Sequence, residues 1–250
     1  MTFAAELREW RTRRRVSQLE LALRAGTTQR HLSFVESGRS VPGRALVMRL
    51  AESLDVPLRE RNALLLAAGY APVYREAAYD SAELAPVREA LERVLAGHMP
   101  YPAVVVDRRG DLLAANDAFH AVVAGGPLEA PVNVPRLLLR DLAPRIVNFG
   151  EWAWHVVDRL RESALRDPDE RLDALVDELQ ALAGERPRAT NLGFAVPLRL
   201  RCGAHELHLL TTLAHFGTAI DVALDDLRLE AFLPADAATA ELLGSLASRA

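Results

Sequence analysis

Lysine is absent from this 250-residue sequence; all 30 basic side chains are arginine, as a GC-rich, bacterial-type genome would produce, and no function follows from it. Cysteine occurs once, at Cys202, which excludes an internal disulfide and leaves too few thiolates for a cysteine-built zinc site. No run of eighteen apolar residues exists, so no membrane-spanning helix is expected. Arg8, Arg11, Arg13, Arg14 and Arg15 interrupt the start, where a secretory leader would need a continuous apolar stretch. A cytoplasmic location without a membrane partner is expected. The glycine-containing stretches AGGP and GEW lack the spacing and the lysine of a phosphate loop, and no serine nucleophile elbow occurs. The sequence therefore predicts no enzyme and no cofactor.

Charge is present but unevenly placed. Residues 1–70 carry twelve arginines against seven acidic residues, whereas residues 71–250 carry eighteen against twenty-seven. A small basic module followed by a larger acidic one suits a nucleic-acid reader with a separate second function, because phosphate neutralisation supplies most non-specific affinity. The length agrees with two domains. A solvated arginine face would give the same charge, so charge alone fixes only the expected organisation: a basic domain at 1–70, a linker and connecting helix at 71–98, and a second domain at 99–250.

Within the basic module, SQLELALRAGTTQRHLSFVESGRSVP contains two short helical runs that meet at Gly26. Ser17 is suited to cap the first, with Glu20 three residues on, and Thr27 or Thr28 to cap the second, whose inward positions are Leu32, Val35 and Phe34. Gly26 supplies the left-handed residue that ends the first run. With so short a turn the helices cross steeply, and the small Ala22 fits at the crossing. The patterns at Phe3 to Arg14, Arg44 to Leu54 and Leu58 to Ala68 complete a five-helix module.

On these residues the stretch resembles the helix-turn-helix of Xre/Cro/phage-repressor proteins, GTTQ being similar to the start of their recognition helix; the likeness covers residues 3–68. The partner implied is double-stranded operator DNA. The second helix of such a pair offers its first-turn side chains to base edges, so Thr28, Gln29, Arg30 and Ser33 are the candidate readers. Gln18, Arg39 and Arg14, with the neighbouring Arg13 and Arg15, are the candidate phosphate contacts, while Glu36 reads as a structural partner. A single helix-turn-helix reads few base pairs, which predicts a homodimer on two half-sites.

In the second domain, PAVVVDRRGDLLAAN reads as a β-hairpin and NDAFHAVVA as a helix. A helical middle follows in NVPRLLLRDL, GEWAWHVVDRLRESAL and DERLDALVDELQALAG. Strands are expected in FAVPLRLRC, HELHLLTTLAHF and DVALDDLRLEAFLP, before a last helix, DAATAELLGSLA. The sum is a PAS-like α+β domain: a five-stranded antiparallel sheet with helices on one face. LLAANDAF, NVPRLLL, GEWAWHVVDRLR and FLPADAATAELL resemble the MmyB-like, Xre-type regulators, whereas Gly150 replaces an expected aspartate and residues 188–208 match loosely. The likeness implies a transcription factor whose second domain senses a small hydrophobic effector such as a fatty acid.

A ligand cavity needs an apolar wall with a few convergent polar groups. The candidates are Asn116, Phe119, Asn133, Arg136, Phe149, Trp152, His155 and Arg159. The competing view is that the second domain only dimerises or docks a protein, which predicts a solid core and an exposed apolar patch. A metal at Cys202, His205 and His208 is disfavoured, since residues three apart on a strand face opposite ways.

Overall fold

The first three helices of the amino-terminal region begin where side-chain caps dictate. In the computed structural model, which describes residues 2–126, 128, 131–188, 195–216 and 219–247, five helices open the chain. They are α1 (Phe3–Arg13), α2 (Gln18–Arg24), α3 (Gln29–Glu36), α4 (Arg44–Ser53) and α5 (Leu58–Ala67). Thr2, Ser17 and Thr28 cap the first three through their side-chain oxygens. At the end of α2 the amide of Thr27 donates to Ala22 O at 2.8 Å and that of Gly26 to Leu23 O at 3.3 Å. This Schellman pattern needs a left-handed residue, and Gly26 supplies it at φ +62°. The ends of α1 and α4 make the same turn with Arg15 and Asp55 at φ 55° and 47°, where no glycine was available to signal it.

One apolar cluster joins the five helices, with Leu7, Leu21, Leu32, Leu50 and Leu65 among its members. Phe34, expected inside, is 36 % exposed. The compact unit comprises Met1–Ala77 together with Leu165–Asp167 and Thr218–Asp225. In it Asp221 accepts from the amide of Ala77, and Asp225 from that of Leu58.

The second unit comprises Ala78–Ala164, Pro168–Gly217 and Asp226–Ala250. It begins with a 3-10 turn at Ala82–Leu84 and α6 (Ala85–Gly97), with Pro86 in the first turn, where the missing N–H costs nothing. The hairpin of β1 (Ala103–Val106) and β2 (Leu112–Ala115) follows. Phe119–Ala124 then winds as a π-helix, and α7 (Val134–Arg136) runs into a second π-helical stretch, Leu137–Asp141. Two long helices, α8 (Phe149–Arg166) and α9 (Glu170–Ala183), precede β3 (Leu198–Cys202) and β4 (His205–Ala214). After α10 (Val222–Asp226), whose residues 222–225 belong to the helical unit, the chain closes with β5 (Arg228–Pro234) and α11 (Ala237–Ala247).

The five strands form one antiparallel sheet in the order β2-β1-β5-β4-β3. Two expectations change. DVALDDLRLEAFLP is not strand throughout: Asp221 accepts from the amides of Ala223 and Leu224 and starts α10, so β5 begins only at Arg228. Nor are the helices confined to one face. Val104 and Val106 join the main apolar cluster, yet Ala103 and Val105, pointing the other way, are equally buried, and α6 packs on β1. Residues 189–194, part of the loosely matching stretch, lie outside the described residues. Among the described residues no helix is long and apolar enough to cross a membrane.

Candidate functional site

In the helical unit the sequence places two apolar side chains of α3, Leu32 and Val35, into the core, each 1 % exposed. Their burial turns the opposite side outward. Gln29 and Arg30 in the first turn are exposed, and Ser33, one turn on, is half-buried. The Arg30 guanidinium lies 5.6 Å from the centroid of the Phe34 ring, so the exposed Phe34 supports the arginine stem. Thr28 uses its hydroxyl as the α3 cap, accepting from the His31 amide at 3.1 Å. Arg39 is exposed on the loop after α3.

Arg13 and Arg15 are exposed as well, whereas the candidates Gln18 and Arg14 turn inward. Gln18 donates its side-chain amide to Glu36 Oε2 at 2.8 Å. Arg14 donates to the carbonyls of Leu54 at 2.9 Å and Asp55 at 3.0 Å and stacks over Trp10; the burial that this requires lowers its pKa. Both tie α1 or α2 to the rest of the module.

The centre of that tying is Glu36, whose side chain is 1 % exposed. Arg11 grips it with two bonds, of 2.6 and 2.8 Å, and also holds Val16 O, while Arg8 donates to the Glu36 carbonyl at 2.6 Å. Burial pushes the Glu36 carboxyl up, but the bonds from Arg11 and Gln18 and the charges of Arg11 and Arg8 outweigh it and hold it below the ordinary range. Sequence reasoning found Glu36 and missed Arg11. The available signal was spacing: Glu36 follows Leu32 by four, so it shares the buried stripe and needs a cationic partner.

In the sheet unit a cavity of about 250 Å³ lies between α8, the α7 segment and strands β4 and β5. The strand register builds its floor: Leu213 stands opposite Glu230, and Thr211 opposite Phe232. Trp152, His155, Val156 and Arg159 of α8 form one wall, their spacing keeping them on one side of the helix. Val134, Pro135 and Leu138 form the other. Buried apolar residues, among them Trp152, Leu138 and Phe232, mark the inner end. His155, Leu213 and the partly exposed Arg159 mark the mouth.

Arg159 Nη1 donates to Glu230 Oε1 at 3.1 Å. The Glu230 residue is 9 % exposed. His155 is held below its ordinary value, chiefly by partial burial of the ring and then by the Arg159 charge, with Asp158 and Glu162 pulling the other way. At neutral pH it therefore offers hydrogen bonds rather than charge.

Three of the eight sequence candidates, Trp152, His155 and Arg159, line the cavity. Phe119 is fully buried behind it, its ring 5.9 Å from that of Phe232, and Phe149 packs against the same core. Asn116 spends its side chain on backbone: it accepts from the amides of Ala103 and Phe119 and donates to the carbonyls of Leu95 and Tyr101. Arg136 pairs with Glu178 at 2.8 Å. Asn133 caps α7 and donates to Arg109 O and Asp111 Oδ1, both at 2.9 Å. These three lie outside the cavity lining: neighbouring backbone groups, with the Asp111 carboxylate for Asn133, satisfy the asparagines, and the Glu178 carboxylate satisfies the arginine.

Asn133 nevertheless positions the wall. Gly110, at φ +84°, comes so close to Pro135 that an added Cβ would stand 2.6 Å from its Cδ. The β1–β2 turn and the cavity wall are thus in direct contact. Sequence reasoning missed Glu230, Thr211, Leu213 and Phe232. For Glu230 the signal was an acid inside the apolar run LEAFL; its partner, seventy-one positions earlier, had no local trace.

Of the three residues disfavoured as metal ligands, Cys202 stands opposite His205 in the β3–β4 register. His208 lies between Glu206 and Asp236, at 2.9 Å from each, and among the described residues no group of three or more ligating side chains could hold a metal ion. Residues 7–61 match the helix-turn-helix family model, and residues 87–246 match the MmyB-like transcription regulator ligand binding domain. No curated protein matches the chain.

Proposed function

Since the chain belongs to the MmyB-like transcription regulators, which join a helix-turn-helix to a ligand-binding domain, we propose that α3 reads operator DNA and that the α8–β5 cavity takes a small effector. Gln29 and Arg30 are the base readers, with Ser33 beside them; Gln pairs bidentately with adenine and Arg with guanine. Thr28 and Arg39 contact the flanking backbone. Gln18 and Arg14 act mainly by fixing the module that presents α3, as their inward hydrogen bonds indicate. Two copies bind together on half-sites about 34–36 Å apart.

The effector has an apolar body and one polar end, fatty-acid-like in that sense. Its body meets Trp152, Val156, Leu138 and Phe232, and its polar end meets His155, Thr211 and Arg159. The observation that carries this function is the combination, in one chain, of an exposed polar first turn on a core-anchored helix and an apolar cavity with a polar mouth. A domain used only for dimerisation or docking would have no need of that cavity.

Selection of binding sites from a random duplex pool by the full chain tests the first half. Wild type is expected to enrich a two-fold symmetric motif. Gln29→Ala with Arg30→Ala is expected to lose roughly 1–3 kcal/mol of base discrimination per contact while keeping its salt-dependent affinity for any DNA. An unchanged motif would remove both residues from the reading role.

A further inference from the structure

The chemistry at the cavity mouth narrows the effector class, and this step rests on the cavity being the effector site. The lining contains one cation, Arg159, and one anion, Glu230, and they are bonded to each other at 3.1 Å. The Glu230 side chain is 11 % exposed and the Arg159 side chain 25 %, so water screens the pair only partly. The rest of the rim is uncharged: Thr211 and a histidine held toward its neutral form, with Asp158 and Glu162 near enough to act on that ring.

Consider a carboxylate head entering such a mouth. It either displaces Glu230 from Arg159, stranding a buried anion, or joins it and sets two carboxylates on one guanidinium. Each course costs what an uncharged head does not pay. A carboxamide or alcohol leaves the ion pair intact, accepts from the guanidinium or the Thr211 hydroxyl, and donates to a Glu230 oxygen. We propose that the Arg159–Glu230 pair makes this cavity selective for an apolar molecule ending in an uncharged hydrogen-bonding group, a carboxamide or alcohol, over the matching carboxylate. Glu230 is the specificity-determining residue: it cancels the charge that would otherwise recruit an acid.

Octanamide and octanoate have nearly the same shape and differ in charge, so they are the probes. Each is titrated calorimetrically at pH 7.5 into the full chain and into Glu230→Gln, which keeps the side-chain size. Wild type is expected to bind octanamide about ten-fold tighter than octanoate, and Glu230→Gln to bind octanoate about ten-fold tighter than wild type does, with octanamide changed much less. If both probes bind wild type and octanoate is equal or tighter, the head-group proposal falls and the cavity stands. If the substitution leaves the ratio of the two unchanged, Glu230 is not the determinant. If neither probe binds wild type, the cavity itself falls and the proposal with it. The wild-type comparison needs no substitution and decides the matter even if Glu230→Gln misfolds.

Discussion

In the helical unit Glu36 is sunk to 1 % side-chain exposure and receives three N–H donors from Arg11 and Gln18. In the sheet unit Glu230 meets the single guanidinium of Arg159 beside an open cavity. The first carboxylate joins α1, α2 and α3 into one piece, and its surroundings leave no space for anything else. The second stands where a ligand could reach it. A buried charge saturated by its own fold holds that fold together, whereas one paired at the lip of a void is placed to discriminate among guests.

The sharpest way to break this contrast is to remove the partner on the helical side. Arg11→Ala would leave Glu36 buried without its bidentate cation, and the expected loss is roughly 3–5 kcal/mol, large against the stability of a small domain. Thermal unfolding followed by circular dichroism would show it. A loss under about 1 kcal/mol would mean that the Glu36 hub is ordinary surface electrostatics.

The sheet unit has a saturated carboxylate of its own, and it provides the next test. Asp169 caps α9 and is held by Arg108 at 2.5 Å and Arg109 at 2.8 Å, with a side chain 5 % exposed. Although burial pushes its carboxyl up, those bonds lower its pKa from 3.8 to about 2. A depressed value stabilises the fold above the unfolded pKa, and the benefit, roughly 2 kcal/mol at neutral pH, fades as the pH falls from about 4 toward 2. Asp169→Asn should show that loss at pH 7 in denaturant unfolding. At pH 2 the variant and wild type should converge.

The smallest expected effect sharpens the comparison at the turn. Nothing lies within 4 Å of a Cβ added to Gly26, so Gly26→Ala suffers only from its positive φ, about 1 kcal/mol. Denaturant unfolding would measure it, and DNA preference should survive in the folded fraction. A much larger cost would show that the corner between α2 and α3 depends on packing as well as on backbone freedom.

How much of each site was legible follows from sequence separation. Gln29 and Arg30, the exposed residues we propose as readers, lie within one turn of the capping Thr28 and three and four residues from Gly26, so local chemistry locates them. The cavity draws on α7, α8, β4 and β5, and its defining pair is seventy-one residues apart. Trp152, His155 and Arg159 could be named because a helical face repeats every three or four residues. Asn116, Asn133 and Arg136 were attractive as polar groups near an apolar core, yet neighbouring backbone groups and Glu178 satisfy them. Strand β5 could be expected, but not its pairing with β4, and only that register sets Leu213 opposite Glu230.

By itself, the sequence determined the helix pair, its caps and its corner, the hairpin, the long amphipathic α8 and the division of charge along the chain, because each depends on residues a few positions apart. Only the tertiary structure decided that Arg11 answers Glu36, that Glu230 answers Arg159, and that a cavity remains between helix and sheet. Those outcomes depend on which distant side chains compete for the same donor, acceptor or volume, and periodicity carries no information about that competition.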